Sequence, residues 1–163
     1  SDVKTYSDRA AAFLQNLGIR KGDCVMLIMK RRFEFWFCLV ALHKLGAIGI
    51  PGSYLLTSRD IAYRNNAADI RMIITANDPK IMDAVDESQA DSASLELKVV
   101  IHGSRPGWYD LSTALSDTSL TFSRPAGSDL ACDNDPLIYW FTSGTTGMPK
   151  MVHHNHRLTL PVL

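Results

Sequence analysis

No apolar run in this 163-residue sequence is long enough to cross a membrane. The longest, Phe35 to Leu42, falls far short of the ~20 residues that a spanning helix needs. The opening Ser1-Asp-Val-Lys-Thr-Tyr6 has no apolar core of the kind a secretory signal carries. It runs almost directly into a helix-start pattern, so further residues are expected to precede it. Cysteine is scarce: Cys24, Cys38 and Cys132 are odd in number and widely spaced. No pair of them has metal-knuckle spacing, and a disulfide framework is not indicated. Cys24 and Cys38 lie in apolar stretches, where a free thiol behaves as a small hydrophobe. A reduced, cytoplasmic protein is the simplest expectation. Net charge is also missing: 17 Lys and Arg balance 17 Asp and Glu. That disfavours a nucleic-acid partner, which would require a basic surface.

What is present is a globular composition, with 46% of residues hydrophobic and 21% charged. One domain with a real core is expected at this length. Thr5 and Asp8 have capping-box spacing ahead of a helix over about 6–17, which Gly18 ends. Cys24 to Met29 reads as a buried strand. Lys30-Arg31-Arg32 reads as a solvated connection to a second helix over 33–45, apolar on nearly every face and ended by Gly46. The aromatic residues Phe35, Trp36 and Phe37 are expected in the core.

Ala47 to Ile50 is a short strand stopped by Pro51-Gly52. Thr57 and Asp60 repeat the capping box before a helix to about Ala68. Met72 to Thr75 is a strand, and Asp78-Pro79 caps a helix over about 79–86. Glu87 to Glu96 reads as loop or frayed helix, and Lys98 to Ile101 as a strand. Between Gly103 and Asp135 only Trp108 to Leu115 suggests a short helix, and Asp133-Asn-Asp135 reads as a turn. Leu137 to Phe141 is a clear strand. Strands alternating with helices predict an α/β layered fold with a largely parallel sheet.

The informative segment is Thr142-Ser-Gly-Thr-Thr-Gly-Met-Pro-Lys150, directly after that last strand. Binding a triphosphate takes several donors converging on a small volume. Gly144 and Gly147 permit positive φ and close backbone approach. Consecutive amides in such a turn form an anion nest. Thr142, Ser143, Thr145 and Thr146 add hydroxyls, which can also hold Mg²⁺, and Lys150 adds a point charge. The spacing Gly-x-x-Gly-x-x-Lys is not that of Walker A, and Pro149 disfavours a helix start at the lysine. A P-loop kinase or GTPase therefore fits poorly. A flexible Ser/Thr/Gly surface loop is the competing reading, opposed by the preceding strand, the paired glycines and the Pro-Lys ending.

Tyr139-Trp-Phe-Thr-Ser-Gly-Thr-Thr-Gly-Met-Pro-Lys150 resembles the signature phosphate loop of the adenylate-forming superfamily. That superfamily comprises acyl-CoA synthetases, luciferases and amino-acid adenylation domains. Leu17-Gly-Ile-Arg-Lys-Gly-Asp23, Leu42-His-Lys-Leu-Gly-Ala-Ile-Gly-Ile-Pro51 and Lys150-Met-Val-His-His-Asn-His156 are similar to further family segments. Arg31 to Trp36, Leu55 to Arg64 and Pro149-Lys-Met151 lean towards medium-chain acyl-CoA synthetases. Two departures are Met151, where glycine is commoner, and Asn155, where a hydroxyl residue usually stands.

The resemblance implies ATP, Mg²⁺ and CoA as cofactors and partners, with a medium- or short-chain carboxylic acid activated as acyl-AMP and passed to CoA. It implies that residues 142–147 and Lys150 hold the outer phosphates. It also implies that His154 lies near the acyl site, although a histidine packed at a strand end is the alternative. No metal site is expected from His153, His154 and His156. The chain is expected to be the N-terminal part of the AMP-binding domain, shortened by design or by proteolysis. The catalytic lysine is then expected in an absent C-terminal domain, and the chain alone should not catalyse adenylation. A stand-alone phosphate-binding module, or an enzyme of luciferase or amino-acid-activating type, are the other readings.

Overall fold

Strand β1 (Cys24–Ile28) is buried along its whole length, as suits the interior of a parallel sheet with both faces covered. The computed structural model describes residues 2–143 and 147–159. In chain order the remaining elements are α1 (Asp2–Asn16), α2 (Glu34–Leu45), β2 (Ile48–Pro51), α3 (Ser58–Ala68) and β3 (Ile70–Ala76). They continue with α4 (Pro79–Ser88), β4 (Leu97–Ile101), β5 (Tyr109–Asp110), α5 (Leu111–Ser116), β6 (Pro136–Thr142) and β7 (Lys150–Asn155). Among the described residues the strands form one seven-stranded sheet in the order β5-β4-β3-β1-β2-β6-β7. The pairings are parallel except for β6 with β7, which are antiparallel.

Connections from β1 and from β3 run in opposite directions along this sheet. Right-handed crossovers then place their helices on opposite faces. One face packs Ala10, Leu14, Leu42 and Leu111 against Val25, Leu27, Ile74 and Ile101. The other packs Ile61, Ile81 and Val85 against Met26, Ile28, Ile73 and Val100. The two-residue alternation of strand side chains sorts them between the faces. The expected α/β layered architecture is the one observed.

The local signals that held are those with a mechanism. Thr57 and Asp60 form the reciprocal capping box of α3. The Asp78 side chain accepts from the Lys80 amide at the start of α4, with Pro79 in the first turn. Gly46 ends α2 at φ 70°, a left-handed conformation that glycine enters without steric cost.

Three expectations are corrected. Helix α1 begins at Asp2, so Thr5 and Asp8 lie inside it rather than at its cap. Asp8 instead accepts hydrogen bonds from Lys4 at 2.8 Å and from Lys44 at 2.7 Å. Trp36 is 61% exposed, because α2 turns Cys38, Leu39, Ala41, Leu42 and Leu45 into the core against the sheet and leaves Trp36 outside. The short helix expected over 108–115 starts only at Leu111: Tyr109 and Asp110 pair with Val99 and Val100 as strand β5. Asp110 then caps α5 by accepting from the Ser112 amide at 2.8 Å.

Candidate phosphate-binding site

The hairpin joining β6 to β7 carries the Gly-x-x-Gly-x-x-Lys segment. Strand β6 runs parallel to β2, so its last residue, Thr142, stands at the carboxyl ends of the sheet strands. In open α/β sheets ligands collect outside that edge. Thr142 and Lys150 face each other as a cross-strand pair at the neck of the hairpin. Thr142, Ser143, Gly147 and Lys150 are all exposed. Gly144, Thr145 and Thr146 lie outside the described residues. Gly147 has φ 103°, a backbone conformation that disfavours any side chain. A Cβ at Gly147 would meet open space, so the demand there is conformational rather than steric.

Lys150 opens a β-strand. A Walker lysine opens a helix, so the P-loop NTPase geometry is absent at this residue. The backbone around Lys150 is held from two sides. The Tyr63 hydroxyl, on α3, donates to the Pro149 carbonyl at 3.0 Å. The Thr142 hydroxyl donates to the Lys150 carbonyl at the longer distance of 3.4 Å. Phe141, one residue before the neck, packs edge-on against the Tyr63 ring at 6.4 Å and under the Arg64 guanidinium at 5.3 Å. The neck of the hairpin thus carries two exposed hydroxyl residues, Thr142 and Ser143, and the exposed Lys150, beside Gly147.

His154 is not brought to this loop. It pairs with Ile138, four positions along β7 from Lys150, which is about 13 Å at ~3.3 Å per residue. His154 is half-buried, while His153 is exposed and stands 6.1 Å from the Tyr139 ring. His156 lies beyond the strand, 6.0 Å from His43, and burial lowers the pKa of both rings. Among the described residues no three His, Cys, Asp or Glu side chains are grouped to hold a metal.

Sequence reading singled out the segment containing Tyr63 and Arg64 only for its overall likeness. No local pattern could show that α3 touches a loop 86 residues away. Lys30 bridges to Asp78 at 2.9 Å, and Arg31 and Arg32 are exposed, in keeping with a solvated connection. Asp133 and Asp135 form the expected turn, with the Asp135 amide donating to the Cys132 carbonyl at 2.9 Å. Among the described residues no helix is long and apolar enough to cross a membrane.

The fold is a doubly wound, mostly parallel α/β sheet with the Thr142–Lys150 pair at its carboxyl edge. The family model of the AMP-binding enzymes matches residues 1–160, and the chain belongs to that family. It is 36% identical over 160 residues to acyl-coenzyme A synthetase ACSM5, mitochondrial, of Rattus norvegicus, covering 94% of this chain and 26% of that protein. It is 34% identical over 152 residues to acyl-coenzyme A synthetase ACSM1, mitochondrial, of Homo sapiens, covering 93% and 25%. The chain thus spans about a quarter of the length of these curated relatives.

Among solved structures, the N-terminal domain of FACL13 from Mycobacterium tuberculosis matches with a TM-score of 0.75 and 28% identity, over 94% of this chain and 36% of that one. The anthranilate CoA ligase AuaEII, in complex with anthranoyl-AMP, matches in fold with a TM-score of 0.83 at 24% identity, over 95% and 29%.

Proposed function

We propose that this chain is the N-terminal, phosphate-gripping part of an ATP-dependent, AMP-forming acyl-CoA synthetase. The observation that carries the reading is the hairpin itself: Thr142 and Lys150 paired at its neck, on the carboxyl edge of the sheet, with Gly147 in a glycine-only conformation. An acyl group and CoA as its acceptor are in line with the names of the relatives, and a medium- or short-chain carboxylic acid is proposed on the likeness at Leu55–Arg64. We assign the outer phosphates of ATP to Thr142, Ser143, Gly144, Thr145, Thr146, Gly147 and Lys150, and a place nearer the acyl group to His154.

The residues present fit a polyphosphate, since hydroxyls and an ammonium complement its charge and oxygen acceptors. The Thr142 or Ser143 hydroxyl would hold Mg²⁺ beside the phosphates. When bound, it supplies neutralisation of the leaving pyrophosphate. What the chain itself contributes is position and charge: phosphoryl chemistry of this kind depends on both more than on a protein nucleophile. The domain is read as one part of a longer AMP-binding domain.

Burial raises the thiols of Cys24 and Cys38 to about 12, which keeps them protonated and unreactive. Cysteine usage points to a reducing compartment. The named relatives are mitochondrial, and fractionation of the source cells decides between cytoplasm and mitochondrion.

The test is calorimetric titration of the chain with magnesium pyrophosphate. An exposed charge about 4 Å from a phosphate oxygen is worth ~1–2 kcal/mol at effective dielectrics between those of protein surface and water. Lys150→Ala should therefore weaken binding roughly 5- to 30-fold. Equal affinity in the variant, or no binding by the unaltered chain, would refute the assignment.

A further inference from the structure

We propose that Tyr63 is a positioning residue for the phosphate loop: by holding the Pro149 carbonyl it sets the direction in which Lys150 leaves the hairpin. The inference rests on the phosphate-binding reading above and adds to it a control point on a different element. The Pro149 ring already fixes its own φ. The remaining soft torsion between that ring and the Lys150 amide is ψ of Pro149, which rotates the Pro149–Lys150 peptide plane. The Tyr63 hydroxyl bonds to the carbonyl of that same plane at 3.0 Å. The plane on the other side of Lys150 carries the carbonyl that accepts from Thr142. Two side-chain hydroxyls therefore bracket the Lys150 α-carbon, one from α3 and one from β6.

The clamp has a firm base. Helix α3 starts at a closed capping box, with the Asp60 amide donating to the Thr57 hydroxyl at 3.2 Å and the Thr57 amide to the Asp60 carboxylate at 3.0 Å. Ile61, Ala62 and Asn65 are buried, and the Asn65 amide group donates to the Ser92 hydroxyl at 2.8 Å. The Tyr63 ring is itself held by edge-on contact with Phe141, on the opposite stem of the same hairpin. One side chain thus touches both sides of the hairpin: its ring the outgoing strand, its hydroxyl the residue that leads into the returning one. A lysine whose backbone is fixed in this way loses less freedom on meeting an anion, and pre-organisation of that kind strengthens binding.

Tyr63→Phe removes the hydroxyl and keeps the ring contact. Loss of one neutral hydrogen bond predicts pyrophosphate affinity lower by roughly three- to tenfold, with faster amide exchange at Lys150 to Val152. The same substitution placed on Lys150→Ala should change the affinity hardly at all, because Tyr63 acts through that lysine. Wild-type affinity and exchange in Tyr63→Phe would overturn the proposal. So would an equal fold-loss in both backgrounds, which would mark a role in general stability. If the unaltered chain binds no pyrophosphate, the phosphate reading falls, and amide exchange alone still shows whether Tyr63 holds the stem.

Discussion

Acidification should expose one imidazole as a liability. His43 stands in the last turn of α2, beside a groove of about 930 Å³ between α1, α2 and the segment 118–131. Its Nε2 is buried and has no hydrogen-bond partner among the described residues. The charged groups around the groove are Lys4, Arg9, Lys44 and Arg124, against the Asp8 carboxylate, with the His156 ring at 6.0 Å. The carboxyl end of a helix would favour a protonated ring, yet burial wins and, with the charge of His156, pushes His43 down to about 4. Unfolded, the ring returns to 6.5.

Between those values the unfolded chain binds a proton that the folded chain refuses. Stability is therefore complete above 6.5, falls as the pH drops below it, and levels off under the folded value. Between pH 7 and pH 5 the loss works out at about 2 kcal/mol, or roughly 4–8 °C in melting temperature for a domain of this size. Asp8 cannot mask the effect, because hydrogen bonds from Lys4 and Lys44 hold its carboxyl below the usual range and it stays ionised throughout. The assay is urea denaturation at both pH values for the natural chain and for His43→Gln, which keeps a polar group that does not titrate. The natural chain should lose about 2 kcal/mol more than the variant over that interval. Equal losses would refute the assignment of a buried neutral imidazole.

Two further outcomes follow from named contacts. Asp86 accepts from Lys98 at 2.6 Å, Arg105 at 2.9 Å and Trp108 at 3.0 Å. Burial alone would raise its pKa, but these bonds outweigh burial and hold it below the ordinary carboxylate value. Asp86→Asn should cost about 2 kcal/mol at neutral pH after allowance for partial exposure, read by chemical denaturation. The cost should shrink as the pH falls below 3.8 and the natural carboxylate gains its own proton. Gly46→Ala forces a side chain into a left-handed turn with its Cβ 3.1 Å from the Lys21 side chain. It should lower stability by about 1–2 kcal/mol in thermal melts, with Gly46→Asn less harmful.

Much of the fold was legible because the signals are local. Cys24–Ile28 could be read as a buried strand since its apolar side chains have no polar face to offer water. The Thr57–Asp60 and Asp78–Pro79 caps could be read since their hydrogen bonds close within one helical turn. Where the same pattern misled, a distant partner had intervened. Asp8 has capping spacing from Thr5, but Lys44 on another helix claims its carboxylate. Trp36 has the hydrophobicity of a core residue, but the rotation of α2 against the sheet leaves it outside. Tyr109–Asp110 became an edge strand because β4 offered free backbone groups beside it.

Of the candidate site, the order of glycines, hydroxyls and lysine is legible in the amino-acid sequence alone, because those residues lie within nine positions of one another. Tertiary structure alone decided that Lys150 begins a strand antiparallel to β6, that His154 stands several residues down that strand, and that Tyr63 reaches the loop. Those facts depend on which strands and helices become neighbours. Neighbourhood across 86 residues is set by how the two apolar faces of the sheet are covered, which no local spacing records.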